Sequence, residues 1–344
     1  MDKPKTIISC FLLIVIHFFS GCSRKSDFPV LSGSYLGQSL PGLESELFAP
    51  GLVSTGLYER DMAISSDGKE IYYGLILGGR VTIMMSRLEK DSWTEPKVAP
   101  FASNPDALFF EPCVSHDGKR LFFLSTLPPK EKDPKPGWGH QNIWVVNRTQ
   151  NGDWGEPQDV GPPVNTENAE YFPSLTLDGT LYFTRSIHGE KKARIMRSRN
   201  LNGAYAEPEP LPEPINGQGT PYNAYIAPDE SFLIACVEGR DDSVTPGYPD
   251  YYVFFRRVDD TWSDGINLGN NINIPEDRAL SPYVSPDGKY YFFASARKGP
   301  ELSAWREITW SRIMHLHVSP KNGNSDIYWV DARIIENLKP EGFE

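Results

Sequence analysis

Three carboxylates stand at or beside one recurring position of this 344-residue chain. Asp61 and Glu111 precede a further Asp (Asp67 and Asp117) by six residues, and Glu170 lies eight residues ahead of Asp178. Carboxyl groups gathered from successive repeats can hydrolyse a glycosidic bond: one protonates the leaving oxygen while another activates water or attacks the sugar. Acidic residues at strand ends also serve simply as solvated charges, so a non-catalytic reading stands beside the catalytic one. His315-Leu-His317 lies in a stretch, residues 308–318, whose alternation predicts a strand with both imidazoles on one face. Two such rings can share a metal, but no third ligand is legible nearby, so an exposed strand face is the preferred reading. The chain carries no recognisable nucleophile–base or metal constellation, and neither a metal nor another cofactor is expected. Cys113 and Cys236 sit in apolar strands two repeats apart and read as isolated buried thiols.

The elements that would position these groups repeat. Ile64-Ser-Ser-Asp-Gly-Lys-Glu-Ile-Tyr-Tyr73 has counterparts around Asp117, Asp178, Asp229 and Asp287, at intervals of 50, 61, 51 and 58 residues. Four of the five are Asp-Gly and the fourth is Asp229-Glu230. Asp-Gly between two apolar runs predicts a hairpin turn in which both central residues take positive φ. Each turn Asp therefore serves its own hairpin, and the five do not form a metal site. A third strand follows in each unit (81–87, 142–147, 194–199, 251–257 and 326–332). A fourth is opened by Trp93-Thr-Glu-Pro96, Trp154-Gly-Glu-Pro157, Tyr205-Ala-Glu-Pro208 or Trp262-Ser-Asp-Gly265. Four antiparallel strands per unit of about fifty residues predict an all-β propeller of five blades; a sixth would require residues 298–325 to hide a degenerate unit. The fifth unit lacks the closing phrase, whereas Glu46-Leu-Phe-Ala-Pro50 echoes Pro96-Lys-Val-Ala-Pro100. The amino-terminal segment is thus expected to supply the last blade's outer strand.

In such a wheel, connections from second to third strand emerge on one face. They expand in blade 2 (128–141), blade 4 (239–250) and blade 5 (298–325). Loops of that length normally carry function or move freely, and a locally packed loop cap is the structural alternative. They bring Trp138, His140, Tyr248, Trp305, Arg306 and Trp310 to one rim, where interblade linkers add Tyr222 and Arg278 and second strands end near Arg185, Arg240 and Arg297. Rigid aromatics beside Arg and His are candidate contacts for a sugar or a peptide. Counting back six from each turn Asp gives Asp61, Glu111, Phe172, Asn223 and Ser281, a polar ring at the channel mouth.

Ser285-Pro-Asp-Gly-Lys289, with Asn324-Ser-Asp-Ile-Tyr-Trp-Val330 in the last unit, resembles the TolB-type propeller repeat, and the likeness runs over roughly residues 46–338. That resemblance implies a periplasmic scaffold that binds envelope lipoproteins, or the propeller half of a serine peptidase. The chain has no Gly-x-Ser-x-Gly, which sets the peptidase branch aside.

Lys3 and Lys5 followed by an apolar run, residues 7–19, form a signal-peptide pattern too short to span a bilayer. It ends in Phe19-Ser-Gly-Cys22, which resembles a bacterial lipobox, so Cys22 is the expected lipidation site. The expected organisation is a signal peptide (1–21), a lipidated Cys with a polar tether (22–42) and one propeller domain (43–344). Removing the signal, with Asp2, Lys3 and Lys5, takes the net charge from −11 to −12. Such a balance disfavours nucleic acid and anionic lipid, leaving the acyl anchor as the membrane attachment. Ser23 in place of Asp points weakly to the outer membrane. The expectation is a monomeric, non-catalytic binding or scaffold protein whose partner is an envelope protein, a peptide or a glycan; the alternative is a carbohydrate-active enzyme with carboxylates at the pore mouth.

Overall fold

Strands in this chain are short, nearly continuous apolar runs because each sheet is covered on both sides by neighbouring sheets; Asp250–Phe255 is buried along its whole length. The computed structural model describes residues 28–303 and 308–343. Five of its antiparallel sheets are the blades of a β-propeller, and Asn200–Leu201 with Ala204–Tyr205 make a separate two-stranded sheet. From the channel outward, blade 1 is Tyr58–Ile64, Glu70–Leu77, Arg80–Glu89 and Lys97–Val98, and blade 2 is Phe109–Val114, Arg120–Ser125, Asn142–Asn147 and Gln158–Asp159. Blade 3 is Ala169–Leu175, Leu181–Ser186, Ala193–Ser198 and Glu209–Pro210. Blade 4 is Thr220–Ile226, Phe232–Glu238, Asp250–Phe255 and Ile266–Asn267.

Blade 5 has three strands from the end of the chain, Tyr283–Val284, Tyr290–Ser295 and Asp326–Asp331. Its fourth is Glu46–Leu47, which pairs antiparallel with Trp329 and Tyr328. The ring is closed as the echo of Pro96–Pro100 implied. Phe48 continues the seam, donating its N–H to the Ile327 carbonyl at 2.8 Å and setting its ring 5.2 Å from Phe292 and 5.1 Å from Trp329. The compact body begins at Leu31. Leu31, Tyr35 and Leu36 pack with Phe48, Trp93 and Trp329.

The hairpin turns differ from the expected form. The Asp residues do not take positive φ; each turn is an i to i+3 turn, Ser65 to Gly68 in blade 1, and only the residue after Asp is left-handed. That residue is Gly68, Gly118, Gly179 or Gly288, and in blade 4 it is Glu230, whose carboxylate is held by the Tyr182 hydroxyl and Arg256. Asp itself works through its side chain. Asp67 accepts from the Ser65 hydroxyl and the Lys69 N–H, and Asp117 and Asp287 repeat the pattern. Partial burial pushes these carboxyls up, but the hydrogen bonds outweigh it and hold all three below the usual Asp range.

A second repeated device was not visible as a motif. Asn165, Asn216 and Asn273 each bracket one residue of a third strand, accepting its N–H and donating to its carbonyl: Ile143, Ile195 and Tyr251 respectively. The Ser54 hydroxyl does the same for Ile327 in blade 5. Among the described residues of 298–325 there is no sixth blade. They contain the helices Pro300–Ser303 and Trp310–His317, so the strand expected there is corrected. Thr309 caps the second helix by accepting from the Arg312 N–H, and Leu316 buries its inner side. His315 and His317 are exposed, and two residues apart on a helix they diverge. The helix end lies against Gly56, where a Cβ would meet the His317 carbonyl at 2.3 Å. Among the described residues no group of three His, Cys, Asp or Glu side chains could hold a metal ion.

The seam between blades 5 and 1 buries two carboxyls. Glu59 accepts from the N–H and hydroxyl of Thr55, and Asp326 accepts from the Lys321 N–H. Burial pushes both up to about 7. Unfolded, these groups lose their protons near pH 4, so between about pH 4 and 7 the folded state binds more protons and stability falls as pH rises. Urea unfolding at pH 5 and 7.5 is expected to show a lower midpoint at the higher pH, with the drop reduced in Glu59→Gln. An unchanged drop in that variant would place its origin elsewhere. Phe48→Ala is expected to cost about 3–5 kcal/mol by emptying a fully buried aromatic site at the closure; a loss below about 1 kcal/mol in the same assay would mean the closure is not load-sharing.

Candidate functional site: the channel mouth

Each of the first four inner strands carries a bulge. In blade 1 Arg60 pairs with Gly74 and Ala63 with Tyr72, leaving Asp61 and Met62 opposite one residue; blades 2, 3 and 4 shift at Glu111, Phe172 and Asn223. These four bulge residues all take positive φ, 60°, 57°, 53° and 47°, and none is Gly. Such backbone costs about 1–3 kcal/mol per residue and persists where the surroundings enforce it, often at binding sites. The positions are those found by counting six back from each turn Asp. Blade 5 has Ser281 there without the left-handed kink.

The bulge turns successive side chains to different levels. Residues one earlier, Arg60, Phe110, Tyr171, Tyr222 and Leu280, all line one cavity of about 350 Å³ at the mouth, with Glu111, Leu124, Trp138, Gln141, Asn223 and Arg278. That volume is in the range of small-molecule sites, roughly 300–1,000 Å³. Below it Asp61, Phe172 and Ser281 line a narrower channel cavity of about 50 Å³, which Glu111 also reaches. The lower space has room for a few waters.

Polar contacts knit the bulge ring together. Arg60 Nε donates to Asp61 Oδ1 at 2.7 Å, and its Nη2 lies 3.5 Å from Glu111 Oε1. The Ser281 hydroxyl donates to Asp61 Oδ1, and Glu111 Oε2 accepts the Phe172 N–H at 2.7 Å. The Asn223 N–H goes to the Thr184 hydroxyl. Asp61 Oδ2 and Asn223 Oδ1 are buried without a partner. Asp61 Oδ2 lies where only glycine can sit opposite: a Cβ on Gly74 would approach it to 2.8 Å. Burial, with the Asp61 charge beside it, pushes the Glu111 carboxyl well above the usual range despite Arg60 and the Phe172 N–H. Glu111 therefore keeps its proton at pH values where an exposed Glu has lost it.

Of the residues singled out from sequence, Trp138, Tyr222, Glu111, Asn223 and Arg278 meet at the mouth. Trp138 stacks on Phe110, centroids 5.3 Å apart and planes at 22°, and is 49 % exposed. Asp61 lies one level down. Glu170 does not join them: it is fully buried in blade 3, paired with Arg185 at 2.8 Å and bonded to Thr166. It stands two residues before the bulge, the position Glu59 occupies in blade 1, and not on the bulge itself. His140 is buried, with Nε2 against the Asp133 carbonyl, and braces its own loop. Arg240 grips Asp242 and stacks over Tyr252, and Arg297 binds the Ser45 hydroxyl and the Asn271 and Ile272 carbonyls. Both act as braces; Tyr248 is exposed on the blade 4 loop. Cys22, Trp305 and Arg306 lie outside the described residues. Phe110, Tyr171 and Gln141 were not singled out. The signal for the first two was available: they stand seven, not six, residues before a turn Asp.

No protein-family model matches the chain, and no curated protein matches it. Among solved structures it is similar to a putative TolB from Agrobacterium tumefaciens, at 17 % identity over 70 % of each chain with a TM-score of 0.42. It is also similar to TolB from Acinetobacter baumannii, at 15 % identity over 80 % of this chain and 57 % of that one with a TM-score of 0.45. A GH62 hydrolase solved in complex with xylotriose shares 10 % identity over 84 % of this chain and 97 % of its own, with a TM-score of 0.46. The five-bladed assignment rests on this chain's own strand order.

Proposed function

We propose that this chain is a lipid-anchored, non-catalytic binding protein of the bacterial cell envelope whose ligand occupies the channel mouth. The observation that carries the reading is the convergence, in one cavity of about 350 Å³, of a side chain from the same repeat position of every blade with the half-exposed Trp138 of the blade 2 insertion. Aromatic walls with a few convergent polar groups are what a binding site requires.

Catalysis is the second reading, and one observation favours it: Glu111 holds a proton next to Asp61, as a general acid would. Against it, Glu111 is the single carboxyl lining the mouth among the described residues. Glycoside hydrolysis needs two, flanking the scissile bond.

Thermal unfolding of the full chain is to be followed against neutral and acidic oligosaccharides, muropeptides and short peptides. A ligand at about 100 times its Kd adds roughly 2.7 kcal/mol. At least one class is expected to stabilise the wild type, with the shift lost in Trp138→Ala. A shift that survives this substitution would move the site away from the mouth, and sugar release abolished by Glu111→Gln would replace binding with hydrolysis. The anchor has its own test. Cells grown with an alkyne fatty acid are expected to label the wild type and not Cys22→Ser; label retained by the variant would refute lipidation at Cys22.

A further inference from the structure

The charges at the mouth are unevenly matched. Arg60 is committed to Asp61 and Glu111 on its own ring. Arg278 is exposed, lines the same cavity and has no carboxylate partner among the described residues. Asp277, next to it in the chain, is turned inward onto the Ser295 hydroxyl and the N–H groups of Ala296 and Arg278. One guanidinium is thus left facing the cavity uncompensated, on a chain whose net charge of −11 repels anions elsewhere. A planar guanidinium matches a carboxylate through two parallel N–H bonds.

The rest of the mouth suits a saturated ring. Trp138 has one face fixed against Phe110 and is half exposed, so a rigid indole face is available to the polarised C–H groups of a sugar. Gln141, Tyr171 and Tyr222 line that space, the Tyr171 hydroxyl being held by the Ser186 hydroxyl. The Tyr222 hydroxyl donates to the Ala279 carbonyl and meets the Arg278 side chain on its acceptor side, which orients the guanidinium at the mouth. An extended peptide finds less. The inner strand edges it would zip against are broken by the left-handed residues, and the N–H groups of Phe172 and Asn223 are already bound to Glu111 and Thr184.

We propose that the channel mouth recognises a glycan bearing a single carboxylate, with the acid on Arg278 and its ring on Trp138. This rests on the mouth being the binding site and adds the chemical class of what it binds. The ionised acid is taken up as such; no bond is made or broken.

The test is calorimetric titration of the full chain with glucuronate-, galacturonate- and N-acetylmuramate-terminated disaccharides, each beside its uncharged methyl ester. At least one acid is expected to bind about ten-fold or more tightly than its ester, the worth of one charged hydrogen-bonded pair. Arg278→Gln, at an exposed position, is expected to bring the acid down to the affinity of its ester. Trp138→Ala is expected to weaken both. Equal binding of acid and ester, or an acid indifferent to Arg278→Gln, overturns the charge assignment while leaving the mouth as a site. Binding of a peptide but of none of these sugars, lost in Trp138→Ala, overturns the glycan assignment and keeps the site. If no sugar or peptide binds at all, both readings fail.

Discussion

Two residues, Glu46 and Leu47, hold the ring shut. Their backbone groups complete the ladder of blade 5 against Trp329 and Tyr328, joining the start of the domain to its end. Without that pairing, the third strand of blade 5 would be an exposed edge and the wheel an open fan of blades. The closure is reinforced by side chains from far along the sequence. Ser54 brackets Ile327, Phe48 fills the space beside Phe292 and Trp329, and Arg297 reaches the Ser45 hydroxyl. Every one of these contacts spans more than 240 residues, so the stability of the mouth is tied to the amino-terminal segment although no residue of that segment lines it.

Closure also makes the channel. Five inner strands held at a common radius point the same repeat position toward one axis, and the bulges then decide which side chains face up and which face down. A straight strand would alternate them between blades. The left-handed residue instead separates Arg60, at the mouth, from Asp61 in the channel beneath, and Tyr171 from Phe172, while Glu111 reaches both levels and Asn223 stays at the mouth. The strain is balanced locally by hydrogen bonds that cross from blade to blade, Ser281 to Asp61 and the Phe172 N–H to Glu111.

The proton-holding carboxyls belong to this economy of interblade burial. Glu59 and Asp326 lie at the seam of blades 5 and 1, and Glu111 lies between blades 1 and 3; all three are raised first by loss of water. The turn carboxyls, with water on one side and donors on the other, move down instead. The same residue type is thus set to opposite protonation behaviour by its distance from solvent. This distinction separates Glu111, at a cavity, from the turn residues Asp67, Asp117, Asp178 and Asp287.

The sequence by itself determined the repeat and hence the fold. Asp-Gly turns and apolar strands at a period near fifty dictate blades, and the missing last strand was legible because Glu46–Pro50 echoes Pro96–Pro100. These are local signals, carried by turn geometry and hydrogen-bonding side chains that act within a few residues of themselves. The composition of the site was partly legible: Trp138 and Tyr222 stood out, and the polar ring was found at the right period. Its register was not. A bulge adds a residue without leaving a mark in the hydrophobic pattern, because Asp61, Glu111, Phe172 and Asn223 are of unrelated types. Glu170 could not be told from Glu111, since only packing shows that Arg185 lies opposite the first. The helix 310–317 was hidden for a related reason: its apolar residues fit a strand as well as a helix until Thr309 and the contact with Gly56 select one. Tertiary structure alone decided which polar groups face water, which face one another, and which line the cavity at the mouth, because burial and partner distance are properties of the closed ring and of no single repeat.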